Sequence, residues 1–164
     1  MHGMSGRKTA DRAAPRSGPW VSRKYKDQRD RPVELLLQFQ TMISGIEHVA
    51  IASPDAKKLA GWYVEKLGFA VVYDSGRTLI VQAPNGSMIE ITTSEGERPA
   101  QGMKLPGLRH LALAVDDFDA EYARLRAAGV QFLDEPQQAK GVRVVYFADP
   151  EGNYLHLIQR QSPL

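Results

Sequence analysis

Two stretches of the chain alternate polar and apolar positions in the same frame. Residues 45–52 and residues 107–114 both read Gly-x-x-His-x-Ala-x-Ala. Such alternation predicts a β-strand whose successive side chains point to opposite faces, so the His and both Ala share one face. Larger apolar side chains occupy the other face and suit packing against a helix. An imidazole beside two small side chains predicts that each strand lines a cavity.

The first of these strands opens a predicted order of one helix and three further strands. Ser53 and Pro54 are typical of a helix N-cap followed by a first-turn proline. Apolar residues recur at helical spacing after them, and Gly68 is typical of a helix end. Further strands are predicted at residues 69–73, 78–83 and 87–93.

The same order recurs after a linker at residues 94–106, which is rich in Gly and Pro. Asp116-Asp117 predicts the start of the second helix, and further strands are predicted at residues 130–133, 142–147 and 153–159. Adjacent copies of one unit indicate an internal duplication. We therefore predict an α+β fold of two βαβββ modules, at residues 45–93 and 107–160.

Constant offsets relate the two modules residue by residue. His48 and His110 lie 62 positions apart. Gly86 and Gly152, each in a predicted hairpin turn before the last strand of its module, lie 66 positions apart. The two values imply a short net insertion within the second module. The larger offset carries Glu90 onto His156. The duplication thus pairs the two first-strand histidines with each other, and Glu90 with His156.

Composition limits the class of protein. The chain is 43% hydrophobic and 24% charged, as in soluble globular proteins, and it has no cysteine to form disulfides or thiolate metal sites. No apolar run is long enough to span a bilayer, and the sequence has no recognisable secretory signal. We expect a cytoplasmic protein with no membrane partner.

The net charge of +2 is unevenly distributed. Residues 1–41 hold nine Lys/Arg and four Asp/Glu, which predicts a disordered basic tail in which only the apolar run at residues 33–39 could dock on the rest. Met42 is a candidate natural start, followed by one domain at residues 42–164. That domain holds twelve Lys/Arg and fifteen Asp/Glu, so no nucleic-acid partner is expected.

Three of the four histidines, together with Glu90, occupy related positions on the predicted strands. A single strand His is usually a hydrogen-bonded core residue, and a single Glu between two Ile usually lies on a solvent-exposed face. Four such groups at duplicated positions, on faces otherwise holding Ala, favour a shared role. Imidazole and carboxylate are ligands of borderline divalent metal ions. The pattern therefore predicts a metal site.

The paired modules, a His on each first strand, Glu90 on a last strand and a closing Asp-Pro-Glu-Gly-Asn-Tyr-Leu-x-Leu resemble the vicinal oxygen chelate superfamily. Its members include glyoxalase I, methylmalonyl-CoA epimerase, fosfomycin-resistance enzymes, extradiol dioxygenases and bleomycin-resistance proteins. The resemblance covers about residues 45–160 and implies half-barrels around one divalent ion (Zn, Ni, Co, Mn or Fe(II)) in a homodimer. The ligands it implies are His48, Glu90, His110 and His156.

The chain departs from this family at the fourth ligand, which is commonly Glu and here is His156. Glu90 is then the carboxylate that the resemblance implies as catalytic base, and His156 is either a ligand or an acid/base residue. As a ligand, His156 favours glyoxalase-type lyase or isomerase chemistry on a small bidentate oxygen substrate, through a metal-stabilised enediolate. If His156 does not bind the metal, it favours an Fe(II)-dependent extradiol-type dioxygenase. A non-catalytic binding protein of the bleomycin-resistance kind is the further alternative.

Two arginines are candidates for holding an anionic substrate, because Arg77 and Arg143 match across the duplication. An arginine on an exposed strand face is the commoner case. Arg143 and Tyr146 are separated by an odd number of positions, so only one of them can face the cavity from a regular strand.

Overall fold

The structure is a computed structural model that describes residues 43–100 and 102–164. The predicted tail at residues 1–41, including the run at 33–39, lies outside the described residues. In the described part of the chain, no helix is long and apolar enough to cross a membrane.

The first module contains one helix and four strands. They are β1 (His48–Ser53), α1 (Ala56–Leu67), β2 (Ala70–Asp74), β3 (Thr78–Gln82) and β4 (Met88–Thr93). The strands form one sheet in the order β1-β4-β3-β2, with β1 and β4 parallel and the other neighbours antiparallel.

The second module repeats this plan. Its elements are β5 (Leu111–Ala114), α2 (Phe118–Ala127), β6 (Gln137–Ala139), β7 (Val142–Ala148) and β8 (Tyr154–Arg160). Their sheet order is β5-β8-β7-β6, and the parallel pair is again formed by the first and last strands. The predicted α+β fold with two βαβββ repeats is confirmed.

Strand register confirms the residue-level match between the modules. Ala50 of β1 lies beside Glu90 of β4, and Ala112 of β5 lies beside His156 of β8. Neighbours across a ladder share a face of the sheet. Glu90 and His156 therefore occupy equivalent positions, as the offset of 66 predicts.

The two faces of each sheet differ as the alternation predicts. In β1, Ile51 is buried, whereas Ala50 and Ala52 are exposed. Apolar side chains of both sheets and both helices form one core, whose largest fully buried members are Tyr63, Phe118, Phe147, Leu59, Ile91, Leu125, Leu155, Leu157, Val81 and Val145. The opposite sheet faces, which carry the candidate ligands, remain outside this core.

The predicted start of the first helix is wrong by two residues. The N-cap is Asp55, whose side chain accepts a hydrogen bond from the Lys58 amide. Ser53 is instead buried, and its hydroxyl donates to Oε1 of Glu151 in the second module at 2.5 Å. The predicted helix end at Gly68 is confirmed, with φ of 71°.

The predicted strand at residues 130–133 is wrong. Only an isolated bridge between Phe132 and Phe147 forms there, and the amide of Tyr146 donates to the side chain of Asp134 instead of a strand carbonyl. The edge strand is β6, between the positions of the strands predicted at residues 130–133 and 142–147. A two-residue turn at Lys140-Gly141, with φ of 49° and 75°, joins it to β7. Positive φ at both positions is what a tight hairpin requires.

Candidate metal centre

The first candidate pair lies on the exposed face of the first sheet. Nε2 of His48, at the start of β1, lies 3.6 Å from Oε2 of Glu90 on β4. The side chains are 36% and 29% exposed. The flanking Ile89 and Ile91 are buried on the opposite face, which directs Glu90 outward. One imidazole and one carboxylate thus lie side by side, as two metal ligands from adjacent strands would.

A second carboxylate adjoins the same imidazole. The carboxylate of Glu47 contacts Nδ1 of His48, on the ring edge away from Glu90. This hydrogen bond is the main reason that the pKa of His48 is raised, and the charge of Glu90 acts in the same direction against the effect of burial. Glu47 is not among the ligands predicted from the sequence, although its position directly before His48 was a signal.

The second candidate pair consists of two imidazoles. The ring centroids of His110, just before β5, and His156, on β8, are 4.4 Å apart. Tyr146 of β7 lies beside both, with its ring 5.5 Å from His110 and 4.9 Å from His156. Tyr146 is the ladder neighbour of His156, as Ile80 is of Glu90. The two modules therefore place an aliphatic and an aromatic side chain at equivalent points of the candidate site.

Burial makes the second pair chemically distinct. His156 is only 6% exposed, and neither of its ring nitrogens has a hydrogen-bond partner among the described residues; the same is true of Nδ1 of His110. Burial lowers the pKa of His156 to about 4, with contributions from the charges of His110 and Arg160. Burial and the charge of Arg109 lower the pKa of His110 as well. Both rings are therefore neutral at pH 7 and carry the lone pair that a metal ion needs.

The four predicted ligands thus form two pairs, one on each sheet. Within residues 43–100 and 102–164, no three His, Asp or Glu side chains lie close enough to hold one ion. Each module supplies half of a four-ligand set, and the described chain does not bring the halves together.

Arg143 forms an ion pair outside the candidate metal centre. Its guanidinium donates to both carboxylate oxygens of Asp119 on α2, each at 2.8 Å, and lies 4.4 Å from the centroid of the Phe118 ring. It shares the helix-facing side of β7 with the buried Val145, whereas Tyr146 takes the opposite face. The hypothesis that Arg143 holds substrate is therefore wrong. Arg77 is exposed in the turn before β3.

A cavity of about 530 Å³ lies between the modules, beside His110. Its walls are β1, residues 94–99, residues 108–111 and the start of β8, and His110 contributes to them. This volume falls within the range of small-molecule sites.

Comparison with known proteins agrees with this architecture. Residues 45–157 match the family model described as the Glyoxalase/Bleomycin resistance protein/Dioxygenase superfamily. An ethylmalonyl-CoA/methylmalonyl-CoA epimerase of Cereibacter sphaeroides is 34% identical over 122 residues, which cover 67% of this chain and 91% of the epimerase.

Solved structures are also similar, TnmS3 and the oxidase ChaP-H2 among them. TnmS3, an antibiotic binding protein from Streptomyces sp. CB03234, matches with a TM-score of 0.61 and 29% identity, over 74% of this chain and 99% of TnmS3. The oxidase ChaP-H2 matches with a TM-score of 0.58 and 30% identity, over 73% of this chain and 95% of the oxidase. The similar proteins thus include an epimerase, an oxidase and a binding protein.

Proposed function

This chain belongs to the glyoxalase/bleomycin resistance protein/dioxygenase superfamily, and we propose that it is a cytoplasmic, metal-dependent enzyme of lyase or isomerase type. Its substrate would be a small molecule that presents two neighbouring oxygen atoms. The observation that carries the proposal is the His110–His156 pair, in which Nδ1 of His110 and both ring nitrogens of the buried His156 lack a hydrogen-bond partner in the described part of the chain. An unpaired buried polar group costs on the order of 1–3 kcal/mol, so this pair favours a bound ligand.

The donor set fits a borderline divalent ion. Three imidazoles and one carboxylate suit Zn²⁺, Ni²⁺, Co²⁺ or Fe²⁺ better than Mg²⁺ or Ca²⁺. His48, Glu90, His110 and His156 would hold the ion. When bound, it would supply the positive charge that polarises a substrate carbonyl.

We propose that a second copy of the chain completes the site. In a two-fold homodimer, the His48–Glu90 pair of one protomer would face the two-imidazole pair of the other, and the second site would form by the same symmetry. Exposed apolar residues support this arrangement. Ile46 and Leu108 are 87% and 71% exposed, and each precedes its histidine by two positions. Apolar side chains exposed beside a functional face favour an interface there.

Glu90 is the carboxylate of the set and the proposed base. Its Oε2 would accept the proton from the carbon next to the substrate carbonyl. His48, whose Nε2 lies 3.6 Å from that oxygen, would be the neighbouring ligand on the same sheet. The Tyr146 ring would shield the imidazoles of His110 and His156 from water, and the cavity beside His110 would hold the body of the substrate.

The test combines metal analysis with isotope exchange. Protein purified without chelator is expected to hold about one divalent ion per chain, and to exchange solvent deuterium into a 2-oxo or hemithioacetal substrate. Oxygen consumption with catechols that depends on added Fe²⁺ would overturn the lyase/isomerase assignment. It would favour the dioxygenase alternative, in which His156 does not bind the ion and acts as an acid/base residue.

A non-catalytic binding protein is the second candidate. It is supported by the separation of the ligand pairs in the described chain and by the likeness to an antibiotic binding protein. Stoichiometric binding of an aromatic ligand by a protein without metal and without turnover would favour it.

A further inference from the structure

The two nitrogens of the His48 ring face two different carboxylates. Nδ1 contacts the carboxylate of Glu47, and Nε2 lies 3.6 Å from Oε2 of Glu90. A neutral imidazole carries one proton, on either nitrogen, and the nitrogen without it carries the lone pair. The closer carboxylate decides where the proton resides, because it accepts a hydrogen bond from N–H and offers nothing to a lone pair.

The second module provides an internal comparison. The residue equivalent to Glu47, by the offset of 62, is Arg109. A guanidinium has no acceptor atom, and Nδ1 of His110 lacks a hydrogen-bond partner among the described residues. The contact at Nδ1 of His48 therefore comes from the side chain at position 47 and not from the repeated backbone.

The same contact could be an ordinary surface ion pair. The Glu47 side chain is 68% exposed, and exposed ion pairs contribute little to stability. A carboxylate that orients a metal-binding imidazole has a different signature, because its loss lowers metal affinity about 10–100-fold. Metal affinity and tautomer thus separate the two roles, whereas stability does not.

We propose that Glu47 is a positioning residue for the metal centre: it holds the proton of His48 on Nδ1 and presents the lone pair of Nε2 on the side of Glu90. The part of this inference that concerns metal rests on the proposed function. The part that concerns the tautomer is a property of the metal-free protein.

The tautomer is tested first, without metal. Nitrogen-15 NMR of the ring is recorded at a pH where further base no longer changes the spectrum, because the pKa of His48 is raised and the ring must be neutral. It is expected to show the Nδ1–H form of His48 in the wild type and a mixture of forms in Glu47→Ala. Glu47→Gln is expected to keep the wild-type form, because its amide oxygen still accepts the hydrogen bond. Glu65→Ala is the matched control, since Glu65 is 72% exposed and also contacts the side chain of its neighbour. An unchanged His48 tautomer in Glu47→Ala would overturn the proposal.

Metal affinity is tested next, by titrating the full-length protein with Zn²⁺. Glu47→Ala is expected to bind about 10–100-fold more weakly than the wild type, whereas Glu65→Ala is expected to match it. Wild-type affinity in Glu47→Ala would overturn the positioning role. If the wild type itself binds no metal while the tautomer responds to Glu47→Ala, the proposed function fails and the tautomer assignment stands.

Discussion

The hydroxyl of Tyr63 donates a hydrogen bond to Oδ2 of Asp149 at 3.2 Å and joins the helix of one module to the last turn of the other. Tyr63 is fully buried and Asp149 is 4% exposed. Burial, and secondarily the charge of Asp149, raise the pKa of Tyr63, so its hydroxyl keeps its proton at physiological pH. Oδ1 of Asp149 accepts from the amides of Glu151 and Asn153 and holds the turn that leads to His156.

Removing this hydroxyl is expected to destabilise the protein. Tyr63→Phe keeps the ring but takes one donor from a buried carboxylate, so we expect a loss of about 1–2 kcal/mol in the free energy of unfolding. Urea denaturation measures it. Tyr122→Phe is the matched control, because that hydroxyl makes an exposed contact of 3.4 Å to Glu135. Equal effects of the two changes would contradict the special role of the buried bond.

Metal content tests the ligand set. His48→Ala and His110→Ala are each expected to abolish tight binding of a divalent ion. Each is expected to keep the fold, because small side chains already lie on the same faces. Elemental analysis and circular dichroism measure the two outcomes. His2→Ala, which lies outside the predicted set, is the control. Full metal occupancy in the double variant His48→Ala/His110→Ala would show that the proposed site is wrong.

Mixing two inactive variants tests whether the site lies between chains. One variant carries His48→Ala and Glu90→Ala, and the other carries His110→Ala and His156→Ala. If the halves come from different protomers, each mixed dimer regains one intact site, and a statistical mixture is expected to bind metal at about one site in four. If one chain supplied all four ligands, mixing would restore nothing. A wild-type monomer in sedimentation that still holds metal would also exclude the shared site.

The metal preference is expected to follow from His156. Three imidazoles and one carboxylate favour Ni²⁺ or Zn²⁺, whereas carboxylate oxygens suit Mn²⁺. His156→Glu is therefore expected to lower the ratio of Ni²⁺ to Mn²⁺ affinity by about tenfold or more. Calorimetric titration with each ion measures the ratio. His156→Ala is the control and is expected to weaken the binding of both Ni²⁺ and Mn²⁺. An unchanged ratio in His156→Glu would mean that residue 156 is not a ligand.

The Asp119–Arg143 pair predicts a dependence of stability on pH. Hydrogen bonds from Arg143 hold the pKa of Asp119 below its ordinary value of 3.8; burial opposes the shift, and the charge of Arg143 adds to it. A lowered carboxyl pKa stabilises the fold above the unfolded value, and the gain is lost as pH falls through the folded value. Arg143→Gln is expected to unfold at lower urea than the wild type at pH 7, and the difference is expected to shrink at about pH 2 to what the contact with Phe118 contributes.

Arg77→Gln provides the control for this comparison, because Arg77 is the exposed counterpart of Arg143 in the first module. It is expected to match the wild type at both pH values. A stability difference for Arg143→Gln that persists unchanged in acid would show that the ion pair is not its origin.

The fold could be predicted from two features of the sequence, its repeated motifs and the alternation of polar and apolar positions. The frame around His48 and His110 determined the strand faces, and the offset of 66 paired Glu90 with His156, as the sheet register confirms. Local patterns failed where a side chain found a distant partner. Ser53 has the residue type of an N-cap, yet its hydroxyl bonds Glu151, 98 positions away. No pattern in a single chain reveals whether the two ligand pairs meet, because that depends on how sheets and protomers face each other.

The long separation of the contacts between the modules has a consequence for folding during synthesis. When the first module leaves the ribosome, Ser53 and Tyr63 have not yet met their carboxylate partners, which follow 98 and 86 residues later. Two hydroxyls destined for full burial therefore lack these acceptors until the closing turn of the second module has been made. Because contacts this far apart in sequence form late, the first module completes its interior only after the second module has been synthesised.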